Sequence, residues 1–437
     1  MNKVPLDRAK VDKIIADNKI QSVGKASIRE VKKIIDDIEK GFDFKFVRME
    51  MGIPGLPTVK IGVDAQIEAL KQGVSAIYPD IYGTAELKTE TKKFVKNFLD
   101  VDVPENSCVP VTGSMQGSFA SFMTITKMDE KKNKLLFIDP GFPVQKQQCK
   151  ILGIETEHFD VYDYRGDKLK DKLESYFKTG EIAGVVYSSP NNPAWFSFDE
   201  KELRIIADLA NKYDVTVLED LAYFGMDFRK DISKPGVAPF QPTVAKWAKK
   251  YILMISGSKA FSYAGERIAV IVISPDLYEW HTDYMKKYFA QDTFGRAIVF
   301  GSIYALSSGT SHSVQYGLAA IMKACNDGTY NLVEALRDYE KKAKFMKDTL
   351  VENGFEIVYD KDQDVPIADG FYFTFNYPGL TGEQTLNELV YYGISAICLD
   401  ITGSNQQGLR ACVSLVPHDM LPVFAERVKQ FNIDHKK

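Results

Sequence analysis

The 437-residue sequence has little that would support a disulfide framework, a metal centre or a membrane span. Its five cysteines are scattered and include no Cys-x-x-Cys pair, which argues against a set of disulfides or a zinc ribbon. There are only five histidines and no His-Glu-x-x-His motif, so we expect no metal site. No apolar run approaches the ~20 residues that a membrane helix needs. These absences predict a protein without metal and outside the membrane.

The sequence also lacks a large excess of charge of either sign. The sequence has 55 lysines and arginines against 59 acidic residues, and their signs are mixed along the chain. This balance gives no electrostatic reason to expect binding to nucleic acid or to an anionic membrane. The first eighteen residues are polar and mixed in charge, so we expect no signal peptide and a reducing, cytoplasmic location.

What is present begins with a polar segment between two apolar runs, 251–255 and 268–273, that carries Lys259 and Arg267. Such runs predict buried strands, so both cations would lie on a short connection between core strands. Because unpaired buried charge is costly, each cation should meet an anion or lose its proton. A neutral lysine attacks carbonyls, and a guanidinium matches phosphate oxygens. The pair predicts a pocket for pyridoxal 5′-phosphate, an aldehyde that carries a phosphate.

The segment 183–223 alternates between strand and helix patterns. A strand ends at the polar sequence Ser-Ser-Pro-Asn-Asn-Pro, a capping box of Ser197 and Glu200 predicts the next helix, and 215–220 reads as the following strand. This alternation predicts an α/β fold with a parallel sheet and right-handed crossovers.

In parallel sheets, ligands bind beyond the carboxyl ends of the strands. Asn192, Asp220 and Lys259 each follow the carboxyl end of a predicted strand, so we expect all three at one edge of the sheet. A carboxylate such as Asp220 would keep a pyridine nitrogen protonated, since an opposite charge favours the charged form. Asn192 and Tyr223 could donate hydrogen bonds to a phenolic oxygen of the same ring.

A second phosphate-binding feature lies at 109–118, which reads as a strand, a glycine turn and the start of a helix. Free backbone N–H groups at a helix start suit a phosphate. This segment is therefore a candidate phosphate site.

Residues 27–40 read as an amphipathic helix. Ser27 and Glu30 form its capping box, Gly41 is its predicted stop, and its apolar face consists of Val31, Ile34, Ile35 and Ile38.

The C-terminal part has another pattern. A long helix is predicted over 331–352, followed by strands at 355–358 and 370–375, a helix capped by Thr381 and Gln384, and further strands up to 415. This order is typical of an α+β domain. Arg410 heads the last strand, an unfavourable place for a cation that has no partner.

The order and spacing of Ser-Pro-Asn-Asn-Pro, Asp-x-x-Tyr and Ser-x-Ser-Lys resemble those of class I/II aminotransferases, the fold-type I pyridoxal-phosphate enzymes of the aspartate aminotransferase superfamily. The resemblance runs from about Gly52 to Ser414. It departs from the family pattern at Ala194-Trp195, where Thr-Gly is usual.

The resemblance implies a role for each matching position. Lys259 would hold pyridoxal 5′-phosphate as a Schiff base and act in catalysis with Asp220 and Tyr223. Cofactor contacts would come from Tyr78, Ser114, Met115, Gln116, Phe142, Asn192, Asp220, Tyr223, Ser256, Lys259 and Arg267. Substrate contacts would come from Gly52, Asn192 and Arg410, with Arg410 on the α-carboxylate.

It also implies a large cofactor-binding domain over 61–329 and a small α+β domain built from 1–60 and 330–437. The protein would be a homodimer in which Tyr78 and Thr310 reach the neighbouring subunit's phosphate. Its activity would exchange an amino group between an L-amino acid and a 2-oxo acid. Two alternatives stay open: C–S β-lyase or other Cα-carbanion chemistry on the same site, and a non-catalytic ligand-sensing module.

Overall fold

The structure of the protein is a computed structural model that describes residues 4–436. The chain forms two compact units. The large unit comprises Leu56–Pro190 and Ser197–Leu336, and the small unit comprises the residues up to Gly55, the short segment Asn191–Phe196 and the residues from Arg337 onward. The division into domains at 60/61 and 329/330 lies a few residues from these limits and stays a proposal.

The α-helices are α1 Arg8–Asp17, α2 Ile28–Phe42, α3 Lys60–Lys71, α4 Ala85–Leu99, α5 Gly113–Ile125, α6 Pro143–Leu152, α7 Lys168–Phe177, α8 Glu200–Tyr213, α9 Gly257–Ala260, α10 Pro275–Tyr278, α11 Lys286–Phe289, α12 Phe294–Arg296, α13 Tyr304–Ser307, α14 His312–Asn326, α15 Leu332–Glu352, α16 Gly382–Tyr391 and α17 Met420–His435. The strands are β1 Val47–Arg48, β2 Cys108–Val111, β3 Lys134–Asp139, β4 Thr156–Asp160, β5 Ile182–Ser188, β6 Thr216–Asp220, β7 Tyr251–Ser256, β8 Ala269–Ile273, β9 Glu356–Ile357, β10 Lys361–Asp362, β11 Val365–Pro366, β12 Tyr372–Asn376, β13 Ile394–Ser395, β14 Ile397–Cys398 and β15 Leu409–Cys412. A π-helix, Ala297–Ile303, joins α12 to α13.

The large unit is built on a seven-stranded sheet in the order β2-β8-β7-β6-β5-β3-β4. Its five strands from β7 to β4 pair in parallel, as the alternating strand and helix pattern predicts. β8 and β2 are antiparallel to their neighbours, because a short connection leads from β7 directly into β8. The sheet is therefore mostly parallel, and the prediction of an α/β fold is confirmed.

Strand composition explains the burial of this sheet. Strands covered on both faces read as continuous apolar runs, and every residue of β7 and β8 is buried. The apolar side chains of α5 and of the π-helix pack with those of β2, β3, β7 and β8 in one core cluster. The result is a rigid support for the residues that follow the strand ends.

The small unit is α+β, as predicted. Its four-stranded sheet has the order β14-β15-β12-β9 and is antiparallel throughout, and β1 pairs in parallel with β13. The apolar stripe of α2, formed by Val31, Ile34, Ile35 and Ile38, is buried. Among residues 4–436, no helix has both the length and the apolar character needed to cross a membrane.

Four predictions about helix ends can be compared with the structure, which confirms two and corrects two. The capping boxes of α2 (Ser27, Glu30) and α16 (Thr381, Gln384) are present as predicted. The box predicted at Ser197 and Glu200 is wrong, because α8 starts two residues later and is capped by Asp199 with Glu202. Helix α2 also passes the predicted stop at Gly41 and ends at Phe42, with Asp43 in the left-handed conformation.

Candidate active site

Two of the predicted catalytic side chains lie at adjacent strand ends of the large-unit sheet. Asp220 is the last residue of β6, and Lys259 lies in α9, the single helical turn that follows β7 directly. β6 and β7 pair in parallel, with Asp220 opposite Met254. Asp220 and Lys259 interact electrostatically, so the fold brings together the two groups that the sequence predicted at one edge.

The Asp220 carboxylate is held in an environment that disfavours its charge. Burial raises the pKa of this carboxyl to about 6, while the Ala222 N–H, the charge of Lys259 and the Gln145 amide each act to lower it. Ala222 N–H donates to Oδ1 at 3.1 Å, and Gln145 Nε2 donates to Oδ2 at 3.1 Å. A cationic ligand next to this carboxylate would favour the ionised form. The site thus suits a protonated ring nitrogen.

Gln145 is a site residue that sequence reasoning missed. It is buried in the first turn of α6 and reaches Asp220 across 75 positions of sequence. A glutamine near a helix start carries no signal of this contact in a single sequence. Its position three residues after Phe142, a predicted cofactor contact, places Gln145 near the site but does not predict its contact with Asp220.

The predicted helix start at 109–118 is present as the start of α5. Its N-cap residue, Thr112, makes no side-chain capping hydrogen bond, so this side chain satisfies none of the first N–H groups of the helix. Gly113 has φ +69°, and a Cβ placed there would lie 2.5 Å from Nη2 of Arg267. Within residues 4–436, the buried Oγ of Ser114 has no hydrogen-bond partner. A helix start, a guanidinium and an unpartnered hydroxyl therefore meet at one place.

Arg267 is held by its own loop. Its Nη1 donates to Ala264 O at 2.7 Å and reaches Ser258 Oγ at 3.5 Å. Ser256 Oγ accepts from the Ser258 N–H at 3.1 Å, which leaves the Ser256 hydroxyl hydrogen available to donate. The sequence predicted that both cations would be buried. This is wrong for Arg267, which is exposed because the turn at 264–266 carries it out of the core. Lys259 is half-buried.

The other predicted cofactor residues of the large unit lie near the same strand ends. Phe142 is half-buried at the N-cap of α6, and Tyr223 is buried in the turn after β6. Gln116 is engaged with protein groups: its Oε1 accepts from Thr112 N–H and its Nε2 donates to Ser307 Oγ, both at 2.6 Å. The Met115 carbonyl accepts from Gln148 at 2.8 Å.

Tyr78 and Thr310, the residues predicted to reach a neighbouring subunit, lie on segments that are tied together. Gln315 links them: its Nε2 donates to Thr310 O at 3.0 Å, and its Oε1 accepts from Thr84 N–H at 2.8 Å. Tyr78 is 90% exposed. Thr310 is buried, and its Oγ1 has no hydrogen-bond partner in the described part of the chain.

The small unit holds the three predicted substrate residues. Arg410, on β15, is 2% exposed; its Nη2 donates to Glu50 O and its Nη1 to Asn192 Oδ1 at 3.4 Å. Among residues 4–436, its Nε has no partner and no carboxylate lies within ion-pair distance. Gly52 lies against Tyr372, whose hydroxyl would overlap any Cβ at that position. A buried guanidinium with an open donor is suited to an anion.

Comparison with known proteins places this architecture in a family. The family model described as aminotransferase class I and II matches residues 46–428. The chain is 21% identical over 329 residues to a probable aspartate aminotransferase of Methanocaldococcus jannaschii, covering 75% of this chain and 77% of the relative. It is 25% identical over 339 residues to an LL-diaminopimelate aminotransferase of Halothermothrix orenii, with 76% and 78% covered.

A solved structure of an aspartate aminotransferase mutant from Thermus thermophilus superposes with a TM-score of 0.76 at 15% identity, covering 93% of this chain and 97% of that one. This likeness confirms the predicted fold type I. The family match covers most of the chain and includes the segments with Asp220, Lys259, Arg267 and Arg410. The chain belongs to the class I and II aminotransferase family.

Proposed function

We propose that this protein is a pyridoxal-phosphate-dependent aminotransferase that exchanges the amino group between an L-amino acid and a 2-oxo acid. The observation that carries the proposal is the position of Asp220 and Lys259 at the ends of two adjacent parallel strands, where the charge of Lys259 acts to lower the pKa of the Asp220 carboxyl. It places an acid for a ring nitrogen close to an amine that can bond an aldehyde.

The residues present fit the cofactor. The unpartnered hydroxyls of Ser114 and Thr310, within the described residues, are donors of the kind that phosphate oxygens need. Gly113 allows Arg267 to approach the start of α5, and a side chain at 113 would fill that space. Phe142, Tyr223 and Asn192 remain proposed contacts to the ring and its oxygen, while Ser256, Met115 and Gln116 remain proposed contacts around the phosphate.

When bound, the cofactor supplies an electron-withdrawing ring that stabilises negative charge on the substrate Cα. In the proposed mechanism Lys259 holds the cofactor covalently at rest. Its amine, once released, would take the proton from the substrate Cα as a base and would then, as an acid, deliver it to the carbon that receives the amino group. Asp220 keeps the ring nitrogen protonated and is held in place by Gln145 and the Ala222 N–H.

Arg410 is proposed to bind the substrate α-carboxylate. Its buried guanidinium keeps Nε without a partner among residues 4–436, and Asn192 and Glu50 fix the two outer nitrogens. A carboxylate can accept two parallel hydrogen bonds from such a group. The relatives are named for different amino acids, aspartate and LL-diaminopimelate, so the proposal names only the class of substrate.

We also propose that the protein is a homodimer and that it works in a reducing compartment such as the cytoplasm. Exposed apolar side chains at Ile61, Ile67, Leu70, Ile77 and Tyr78 support an interface on α3 and the segment after it. The five cysteines are free and buried, which supports a reducing compartment.

The test is an amino-transfer assay on protein purified with pyridoxal phosphate, using a panel of L-amino acids with pyruvate and 2-oxoglutarate. We expect a visible absorbance band and formation of the product amino acid. Lys259→Ala should lose both, whereas Lys287→Ala, at an exposed position, should keep both. Release of ammonia in the absence of a 2-oxo acid, without amino transfer, would contradict the proposal and favour the lyase.

A further inference from the structure

Arg410 lies on a stack of buried aromatic side chains that the amino-transfer chemistry does not itself require. We call the set Trp195, Tyr372 and Arg410 the Arg410 stack. The guanidinium carbon lies 4.8 Å from the Tyr372 ring centroid, and the Trp195 ring meets the Tyr372 ring edge-on, with centroids 5.9 Å apart and an interplanar angle of 73°. All three residues are almost completely buried.

Strand register explains the inner contact of the stack. β12 and β15 are antiparallel neighbours in which Arg410 pairs with Thr374. Tyr372 is two residues from Thr374, so it lies on the same face of the sheet as a diagonal neighbour of Arg410, within reach of a long side chain. The sheet therefore fixes the Tyr372 ring beside the guanidinium.

The outer contact depends on two glycines. A Cβ at Gly370 would overlap the Trp195 indole, and a Cβ at Gly52 would overlap the Tyr372 hydroxyl. The stack fits into the small unit because both positions lack a side chain. Gly52 thereby gains a role that the sequence did not reveal, which is to make room for Tyr372.

The backbone at Trp195 is also unusual. Trp195 has φ +68°, a left-handed conformation that bulky residues rarely adopt. Two backbone hydrogen bonds close the turn around it: Trp195 N–H to Asn191 O at 3.0 Å and Asn191 N–H to Phe196 O at 2.9 Å. The same turn carries Asn192, which accepts from Arg410. A strained, buried residue in a turn that touches Arg410 points to a constraint from function.

From this geometry we propose that Trp195 is a positioning residue for substrate binding. Through Tyr372, and through the turn that holds Asn192, it fixes the Arg410 guanidinium so that Nε and one outer nitrogen face a carboxylate together. The inference rests on the proposed aminotransferase function and adds a residue to its carboxylate site. The alternative is that Trp195 only fills the core of the small unit.

Steady-state kinetics separate these roles. Trp195→Leu should raise KM for both the amino acid and the 2-oxo acid about tenfold, the size of one cation–π or aromatic contact, and leave kcat within about twofold, because the carboxylate is bound equally before and during the reaction. Trp195→Phe should restore most of the affinity. Trp247→Leu, in the large unit, is the matched control and should leave KM unchanged.

A second measurement needs no turnover. The chain has three tryptophans, so a Trp247→Phe/Trp280→Phe double variant leaves Trp195 as its only indole. In the apoprotein of this variant, pyruvate should change the Trp195 emission in a saturable way, while its neutral methyl ester should not. Adding Arg410→Met should abolish the pyruvate response.

An unchanged KM in Trp195→Leu, or a Trp195 emission that pyruvate does not alter, would overturn the positioning role. The proposed function would still be supported if the wild type shows amino transfer and the visible band. Loss of kcat together with loss of bound cofactor in Trp195→Leu, without rescue by Trp195→Phe, would assign Trp195 to the core alone. Absence of amino transfer in the wild type would instead contradict the proposed function. The failures are therefore distinguishable.

Discussion

Asp220 shows how one buried carboxylate can lower stability and support activity at the same time. Its folded-state pKa of about 6 lies above the ordinary value of 3.8 because of burial. Above pH 6 the apoprotein therefore buries a charge that the unfolded chain leaves in water, and stability falls as pH rises from 3.8 to 6. A cationic ligand bound next to Asp220 would offset the free-energy cost of burying this charge.

We predict that Asp220→Asn raises the stability of the apoprotein and lowers the activity of the enzyme. The apoprotein of the variant should be more stable than that of the wild type, and the difference in their unfolding free energies should grow by roughly 3 kcal/mol from about pH 4 to about pH 8. Each pKa unit corresponds to about 1.4 kcal/mol. In the same variant kcat should fall by about 100-fold or more, as expected when one partner of a buried ion pair is removed. Urea unfolding of the apoprotein and steady-state kinetics check the two parts. A stability difference that does not vary with pH would contradict the assigned pKa.

Gln145 offers a finer test of the same carboxylate. Removing its amide in Gln145→Leu deletes a hydrogen bond to the charged form of Asp220, so the pKa of that carboxyl should rise further. We predict that the pH profile of the apoprotein's unfolding free energy, which falls as Asp220 ionises, moves up by about one pH unit, the size of one hydrogen bond to a charged group. Ile151→Ala, at an exposed position of the same helix, should leave the profile in place. An unshifted profile in Gln145→Leu would show that Gln145 does not act on Asp220.

At the scale of elements, the start of α5 depends on Gly113 in two ways. The backbone there is left-handed, and Arg267 occupies the space that a side chain would fill. Gly113→Ala should weaken cofactor binding at least about tenfold, because the added methyl displaces Arg267 from the helix start. Gly153 is the matched control: its φ of +68° equals that of Gly113 within a degree, but nothing lies within 4 Å of its Cβ position. Gly153→Ala should lose comparable stability and keep cofactor affinity. Absorbance titration with pyridoxal phosphate measures both, and equal affinities would refute the Gly113–Arg267 contact as a phosphate site.

The helix starts show where a sequence pattern is enough to predict a cap and where it is not. The capping boxes of α2 and α16 could be predicted because each start has a single suitable cap before an apolar stripe. Before α8, Ser197 with Glu200 and Asp199 with Glu202 both fit the pattern. Tertiary contacts decide between them, because Glu202 also binds Arg165 and accepts from Gly166 N–H. A single sequence does not contain that information.

The corrected cap leads to a test by mutation. Asp199→Ala should lower the free energy of unfolding by about 1 kcal/mol, because it removes the acceptor for Glu202 N–H at the helix start. Glu200→Ala, the partner in the box that the sequence predicted, should change stability by less than about 0.5 kcal/mol. Chemical denaturation of both variants checks the difference. Equal losses would contradict the observed start of α8.

At the scale of the whole molecule, the parallel part of the large sheet was predictable because β5 ends in polar residues and is followed first by the pattern of helix α8 and then by that of strand β6. The antiparallel edge of β8 and β2 was not predicted from the sequence, although the connection at 257–268 has no helix longer than one turn and lies at the lower limit of length for a parallel crossover. The assignment of Asn191–Phe196 to the small unit was also missed. Its residues follow a strand of the large unit in sequence, and only packing of the buried Trp195 against Tyr372 places them elsewhere.

The proposed homodimer gives the last prediction. Ile77 is 62% exposed next to the more exposed Tyr78, an arrangement that places apolar surface in water unless another molecule covers it. Ile77→Asp should shift the protein toward monomer, since a charge buried in an interface without a partner costs several kcal/mol. It should also weaken cofactor binding, because the proposed phosphate contact of Tyr78 crosses the interface. Ile151→Asp, at a comparably exposed position on α6, should remain dimeric and keep its cofactor. Sedimentation velocity and absorbance titration measure the two effects, and a monomeric wild type that binds cofactor fully would rule out the role of Tyr78 across subunits.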